Sequence, residues 1–200
     1  EVLGLHYAMP WPNRELDTAR PLRRSALYDR LNAAGAVFGT KMGWERANWF
    51  AAPGEARETV YSFGPQNWRE ASLREQRACR EAAALFDLSS FGKLLVQGRD
   101  AMASLQRICA ADLGGSVGRS VYTGLLNERG GYESDLTVLG LREDAYLLIT
   151  GSAQPTRDAD RLRRHLHEDA RASVTDMTSA YAVLALMGPK APGILAKVSR

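Results

Sequence analysis

Hydrophobic positions alternate with polar ones in some runs of the chain and recur at helical spacing in others. A two-residue period predicts a strand, and apolar residues three or four positions apart predict a helix. The predicted order is a helix over 72–85, a strand over 93–97, a helix over 100–110, strands over 121–127, 132–141 and 145–150, a helix over 155–168, strands over 172–177 and 180–187, and a helix from 189. This mixture predicts an α+β fold, with a mixed, mainly antiparallel sheet and helices on one face.

The ends of several elements carry local signals. Ser72 followed by Glu75 has the spacing of a capping box. Asp100 suits the cap of the next helix, and Pro155 suits the first turn of the one after it. These residues place the predicted starts of three helices.

The first seventy residues differ from the rest of the chain in composition. All four tryptophans lie there: Trp11, Trp44, Trp49 and Trp68. Prolines are also dense there and interrupt regular elements, so we predict an irregular arm with one short helix over 25–34. We accordingly divide the chain into a linking segment, 1–68, and a second domain, 69–200. Two interpretations of the aromatics stay open: they dock on a larger body, or they pack on the second part of this chain.

One carboxylate stands out in the predicted hairpin. Asp135 follows the Gly130-Gly131 turn beside an otherwise apolar, β-prone run, where a charge costs folding free energy unless it is paired. An apolar cleft with one carboxylate suits a heteroaromatic ligand whose ring nitrogens need an acceptor or a proton relay. A hairpin aspartate that bonds nearby backbone amides fits these residues equally well.

Composition narrows the function classes. The 200 residues are 45% hydrophobic and 24% charged, which is typical of one large or two small globular domains. A net charge of +3 does not predict nucleic-acid binding. No apolar run approaches the roughly 20 residues of a membrane helix. The two cysteines, Cys79 and Cys109, indicate a reducing compartment such as the cytoplasm. We therefore expect no nucleic-acid and no membrane partner.

Several familiar motifs are missing from the sequence. The glycine-rich run 114–118 follows a predicted helix rather than a strand, so it does not indicate a dinucleotide site. His165 and His167 lack the i, i+4 spacing of a metal pair, and we predict no metal site. The charges of the predicted helix over 155–168 indicate a solvated face: Arg157, Arg161, Arg163, Arg164 and Glu168.

Two groups of motifs resemble a known family. The first group resembles the middle segment of the dimethylglycine and sarcosine dehydrogenases. It comprises residues 4–7 (GLHY), 11–12 (WP), 19–29 (ARPLRRSALYD), 35–39 (GAVFG) and 43–46 (GWER). Residues 84–93 (ALFDLSSFGK) and the hairpin 126–138 resemble the folate-binding aminomethyltransferase domain, which is shared with the T-protein of the glycine cleavage system. The resemblance spans nearly the whole chain.

The resemblance implies a function. In that family an FAD domain oxidises an N-methyl amine, and the one-carbon unit passes to tetrahydrofolate in the second half. This chain would be the folate-binding part, with tetrahydrofolate as its cofactor, a small-molecule substrate, and FAD in its own upstream FAD domain. In a eukaryote the resemblance implies the mitochondrial matrix.

The resemblance also assigns site residues. Asp135 matches the family's folate aspartate, which implies that it contacts the N10 amine and assists attack on the one-carbon unit. Tyr122 matches a family position that lines the pterin pocket. Phe91 stands where the T-protein often has Met, and either side chain would pack on a ring. Thr137 adds a polar contact on the Asp135 face. Core packing is the competing interpretation of Tyr122 and Phe91. Gly151 departs from the family, since an asparagine that contacts folate is expected there.

The chain starts at Glu1 without Met and stops just after a predicted helix, so we expect a piece of a longer protein. The remaining folate motifs are expected beyond Arg200, and the piece alone is expected to be inactive. Two rival functions stay open: a non-catalytic relative of the regulatory subunit of pyruvate dehydrogenase phosphatase, which acts through protein interaction, and an FAD-independent aminomethyltransferase or demethylase.

Overall fold

A computed structural model describes residues 7–9, 11, 13–15 and 17–199. Residues 4–6 and Pro12 of the family-like runs, and Arg200, lie outside the described residues. The chain divides into two compact units. The first unit is Glu1–Leu88 together with Ala182–Arg200, and the second unit is Ser89–Tyr181. The division of the family's domains at residues 68 and 69 stays a prediction.

Helices and strands alternate along the described chain. The helices are α1 Tyr28–Ala33, α2 Arg69–Glu81, α3 Ala101–Gln106, α4 Pro155–His165 and α5 Ala191–Val198. The strands are β1 Ala36–Lys41, β2 Trp44–Phe50, β3 Ala84–Asp87, β4 Gly92–Gln97, β5 Ser120–Leu126, β6 Tyr132–Arg142, β7 Ala145–Thr150, β8 Ser173–Asp176 and β9 Leu184–Met187. The strands pair as β1-β2, as β3-β9 and as a five-stranded sheet in the order β5-β6-β7-β4-β8.

The second unit is built on the five-stranded sheet, in which every neighbouring pair of strands is antiparallel. One face of this sheet is buried with residues of α3 and α4: Leu94, Val96, Leu105, Leu125, Leu136, Val138, Leu148, Leu162 and Val174. Because strand side chains alternate between faces, the residues between them in sequence lie on the opposite face. Asp135 is on that opposite face.

The first unit contains a hairpin that we did not predict. β1 and β2 pair across Met42 and Gly43, whose φ angles of 51° and 79° are typical of a two-residue type I′ turn. The prediction of an irregular arm is therefore wrong over 36–50. The chain reverses direction at Met42 and Gly43, which do not form the Asn-Gly pair that is typical of such a turn.

The tryptophans of the first unit are partly core residues. Trp49 is buried with Val37, Ala51 and Ala71, and Trp68 packs against this cluster. Trp44 is buried, and the guanidinium carbon of Arg23 lies 4.3 Å from its ring centroid. Trp11 is exposed.

Two predicted boundaries were wrong in the same region. The helix predicted over 72–85 begins at Arg69 and ends at Glu81, and Trp68 rather than Ser72 precedes its first turn. Ala84–Asp87 is a strand because it pairs with Leu184–Met187, a partner about a hundred residues away. The predicted α+β class is confirmed, but the last predicted strand belongs to this separate two-stranded sheet.

Candidate functional site

The β5–β6 hairpin presents Asp135. Its turn is held by Asn127, whose side-chain oxygen accepts hydrogen bonds from the backbone N–H groups of Arg129 and Gly131, at 3.0 and 2.9 Å. Gly130 has φ of 77°, a conformation that glycine adopts without strain. The turn therefore fixes the start of β6, three residues before Asp135.

Asp135 and Tyr122 form a hydrogen-bonded pair on the open face of the sheet. The Tyr122 hydroxyl donates to Oδ2 of Asp135 at 2.6 Å. This bond and the nearby carboxylate charge raise the pKa of Tyr122, because both favour the neutral phenol. Among the described residues Tyr122 is the one hydrogen-bond donor to Asp135, so the other carboxylate oxygen remains able to accept.

Thr137 lies beside this pair. It is directly opposite Tyr122 in the strand register, and the same row continues across the sheet through Ile149 to Lys93. Directly opposed residues share a face of the sheet. Lys93 is fully buried, and its Nζ donates to the backbone oxygen of Ser89 at 2.8 Å.

Phe91 is not brought close to Asp135. It precedes β4, which is separated from β6 by β7, and neighbouring strands lie about 4.8 Å apart. Its side chain is half-buried. Of the four predicted site residues, the structure brings together Asp135, Tyr122 and Thr137 and leaves Phe91 two strands away.

The surroundings of Asp135 differ from the expected apolar cleft. Asp135 is exposed, and so is 69% of Tyr122. Two cavities, of about 1120 and 760 Å³, are lined by residues of the first unit, and none of the predicted site residues lines either of them. The expectation of an apolar cleft is wrong for the part of the chain that the structure describes, because Asp135 lies exposed on the sheet face and lines neither cavity.

Sequence reasoning missed Asp158. It lies in the first turn of α4, is fully buried, and accepts hydrogen bonds from Ser134 and Thr150. Burial raises its pKa, against the opposite effect of those two bonds. The sequence held one signal for it: Asp158 lies beside Ala159 and four positions before Leu162, on the apolar side of the helix that Pro155 begins.

The predicted solvated face of that helix is only partly solvated. Arg161 is half-buried and donates to the backbone oxygen of Leu126. Arg163 is exposed overall, yet its guanidinium donates to the backbone oxygen of Val174 at 3.1 Å.

Two absences concern the described residues alone. No group of His, Cys, Asp and Glu side chains among them is arranged to hold a metal ion. Within the same part of the chain, no helix combines the length and apolar character needed to cross a bilayer.

The comparisons with known proteins define the class. The GCVT N-terminal domain family matches residues 27–200, and the chain belongs to that family. The crystal structure of aminomethyltransferase T of the glycine cleavage system from Bartonella henselae is similar over 88% of this chain and 43% of that chain, with TM-score 0.71 and 27% identity. The predicted T-protein-like fold is confirmed.

Longer relatives make the likeness more particular. The chain is 42% identical over 199 residues to 4-methylaminobutanoate oxidase (formaldehyde-forming) of Paenarthrobacter nicotinovorans, and covers 24% of it. It is 36% identical over 204 residues to the mitochondrial pyruvate dehydrogenase phosphatase regulatory subunit of Mus musculus, and covers 23% of it. It is 30% identical over 205 residues to human mitochondrial dimethylglycine dehydrogenase, and again covers 23%. Each alignment includes the whole of this chain, which spans about a quarter of these relatives.

Proposed function

We propose that this chain is the tetrahydrofolate-binding part of a longer FAD-dependent N-methyl amine dehydrogenase. The observation that carries the proposal is the Tyr122–Asp135 pair, presented on an open sheet face by a member of the GCVT family. The dehydrogenase and oxidase names among the relatives support the oxidative half. We assign the FAD to a domain outside this chain.

The residues of the open face fit a reduced pterin with an amine substituent. Asp135 keeps an oxygen that can accept a hydrogen bond from an amine N–H. The Tyr122 and Tyr132 side chains are exposed and offer flat apolar surfaces, and Thr137 is half-buried directly opposite Tyr122. Tetrahydrofolate, when bound, supplies the amine that takes up a one-carbon unit.

Asp135 has two roles in this proposal. Its free oxygen orients the amine and accepts the proton that the amine loses on forming a new bond to carbon. Its other oxygen is held by the Tyr122 hydroxyl, which keeps the carboxylate in one rotamer. Tyr122 is therefore a positioning residue for the carboxylate as well as a flat surface for the ring.

Titration of tetrahydrofolate by calorimetry tests the proposal, with this chain and with the longest natural form that contains it. Asp135→Ala is expected to raise the dissociation constant by about tenfold to a hundredfold, since a hydrogen bond to a charged group contributes about 1.5–3 kcal/mol. Asp144→Ala is the matched control, because Asp144 is an exposed carboxylate of the same unit that pairs with Arg142. Equal dissociation constants for wild type and Asp135→Ala would exclude the role.

One observation favours a second candidate. The regulatory subunit of pyruvate dehydrogenase phosphatase is 36% identical to this chain, between 4-methylaminobutanoate oxidase at 42% and dimethylglycine dehydrogenase at 30%. A non-catalytic protein-interaction role is therefore the alternative, and it predicts no tetrahydrofolate binding in any form of the protein.

A further inference from the structure

Asp158 connects α4 to the adjacent strands β6 and β7 by buried hydrogen bonds within the second unit. Its side chain is fully buried, and its Oδ2 accepts hydrogen bonds from Ser134 on β6, at 2.9 Å, and from Thr150 on β7. Both hydroxyl residues are buried as well. Oδ1 of Asp158 has no hydrogen-bond partner within the described part of the chain.

The two hydroxyl residues are placed around Asp135 in the sheet. Ser134 is the residue before Asp135, and Thr150 is paired in register with Leu136, the residue after it. Side chains alternate along a strand, so Ser134 and Leu136 point to the helix side while Asp135 points to the open face. Asp158 therefore accepts hydrogen bonds from the residue before Asp135 and from the cross-strand partner of the residue after it.

A second contact of α4 reinforces the same stretch. Arg157, the residue before Asp158, forms an ion pair with Glu133, which also accepts a hydrogen bond from Asn127 at 2.9 Å. Glu133 and Ser134 are the two residues that lead into Asp135. The first turn of α4 thus contacts the side chains of the two β6 residues immediately before Asp135.

The chemistry of Asp158 is not what burial alone would favour. A buried carboxylate with an unpaired oxygen costs free energy, and replacing a whole buried polar group and its partners by apolar side chains of similar shape is often nearly neutral. In some proteins a buried polar contact of this kind holds one arrangement of the chain in preference to others. Here the contact joins α4 to β6 and β7 on either side of the Asp135 position.

We propose that Asp158 is a positioning residue for Asp135, acting through Ser134 and Thr150 to hold β6 so that the Asp135 carboxylate meets both the Tyr122 hydroxyl and the bound amine. This deepens the proposed function and rests on it for the amine alone. The Tyr122–Asp135 bond gives a measure of the positioning that needs no folate.

The test titrates Tyr122 by NMR in protein labelled with 13C at the tyrosine Cζ atoms, with the signal assigned by Tyr122→Phe. Asp135→Asn provides the reference in which the carboxylate charge is gone and the Tyr122 pKa falls toward its ordinary value. Asp158→Ala is expected to lower the pKa of Tyr122 in the same direction. Asp158→Asn is expected to keep it near that of wild type, because the amide oxygen still accepts from both hydroxyls. Asp160→Asn, which removes an exposed carboxylate of the same helix that pairs with Arg164, is the matched control.

The same variants are then titrated with tetrahydrofolate. Asp158→Ala is expected to raise the dissociation constant on the order of tenfold, and to add little in an Asp135→Asn background, since residues that act through one another are not additive. A merely structural role lowers stability but moves neither the Tyr122 pKa nor this coupling.

The outcomes separate the two proposals. A folded Asp158→Ala protein with an unchanged Tyr122 pKa overturns the positioning role. A lowered Tyr122 pKa in a protein whose wild type binds no tetrahydrofolate supports the positioning role and rejects the proposed function. If Asp158→Ala does not fold, the triple variant Ser134→Ala/Thr150→Val/Asp158→Ala replaces the whole buried polar group, and the same two results decide.

Discussion

At the scale of single residues, two carboxylates of the second unit have opposite environments. Asp135 is exposed and accepts one hydrogen bond from a tyrosine, whereas Asp158 is fully buried and accepts two from hydroxyl side chains. Burial raises the pKa of Asp158 because water no longer stabilises its charge. The exposed carboxylate of Asp135 is available to a ligand, whereas the buried carboxylate of Asp158 is bonded to side chains of β6 and β7.

The pH dependence of stability follows from the buried carboxylate. Since its pKa is higher in the folded state than in the unfolded chain, the folded state retains the Asp158 proton to higher pH, and ionisation destabilises it. Relative to Asp158→Asn, the wild-type free energy of unfolding is therefore expected to fall as pH rises from about 4 through the raised pKa, by about 1.4 kcal/mol per unit of pKa difference. Urea unfolding of both proteins between pH 4 and 8 measures this difference. If the wild-type free energy of unfolding instead rose with pH relative to that of Asp158→Asn, the pKa of Asp158 would be lowered in the folded state.

At the scale of elements, β4 depends on a close backbone crossing where it ends. Gly98 has φ of 131°, and its N–H donates to the backbone oxygen of Asp144 at 2.8 Å. A Cβ at this position would lie 2.1 Å from the backbone oxygen of Arg171, in the segment that leads into β8. Position 98 therefore requires glycine, because any side chain there would collide with the backbone that leads into β8.

Gly98→Ala is expected to cost about 3 kcal/mol of unfolding free energy, from backbone strain and from overpacking against the Arg171 segment. Gly130→Ala separates the two causes, since Gly130 has φ of 77° but nothing within 4 Å of an added Cβ. We expect this control to cost only the strain, about 1 kcal/mol. Equal losses for the two variants in denaturant titrations would show that the close approach to Arg171 does not matter.

At the scale of the whole molecule, local patterns predicted the second unit well and the first unit poorly. β7 has the predicted bounds, and β4, β5 and β6 lie within one residue of theirs, because alternation and glycine turns are local signals. β3 was missed because its identity depends on pairing with β9, far along the chain. The β1–β2 hairpin was missed because a methionine occupies the first turn position. Asp158 was missed because its partners, Ser134 and Thr150, become neighbours only when the sheet and helix pack together.

The family membership of the chain and the open sheet face together lead to one central claim, that tetrahydrofolate binds at Asp135. Two-dimensional NMR of the labelled protein during a tetrahydrofolate titration tests it most directly, because each residue reports separately. We predict that the signals of Tyr122, Asp135, Thr137 and Ile149 shift in wild type, and that in Asp135→Asn those of Tyr122, Thr137 and Ile149 need about tenfold to a hundredfold more tetrahydrofolate to shift. Signals that shift only in the first unit, or shift equally in both proteins, would contradict the claim.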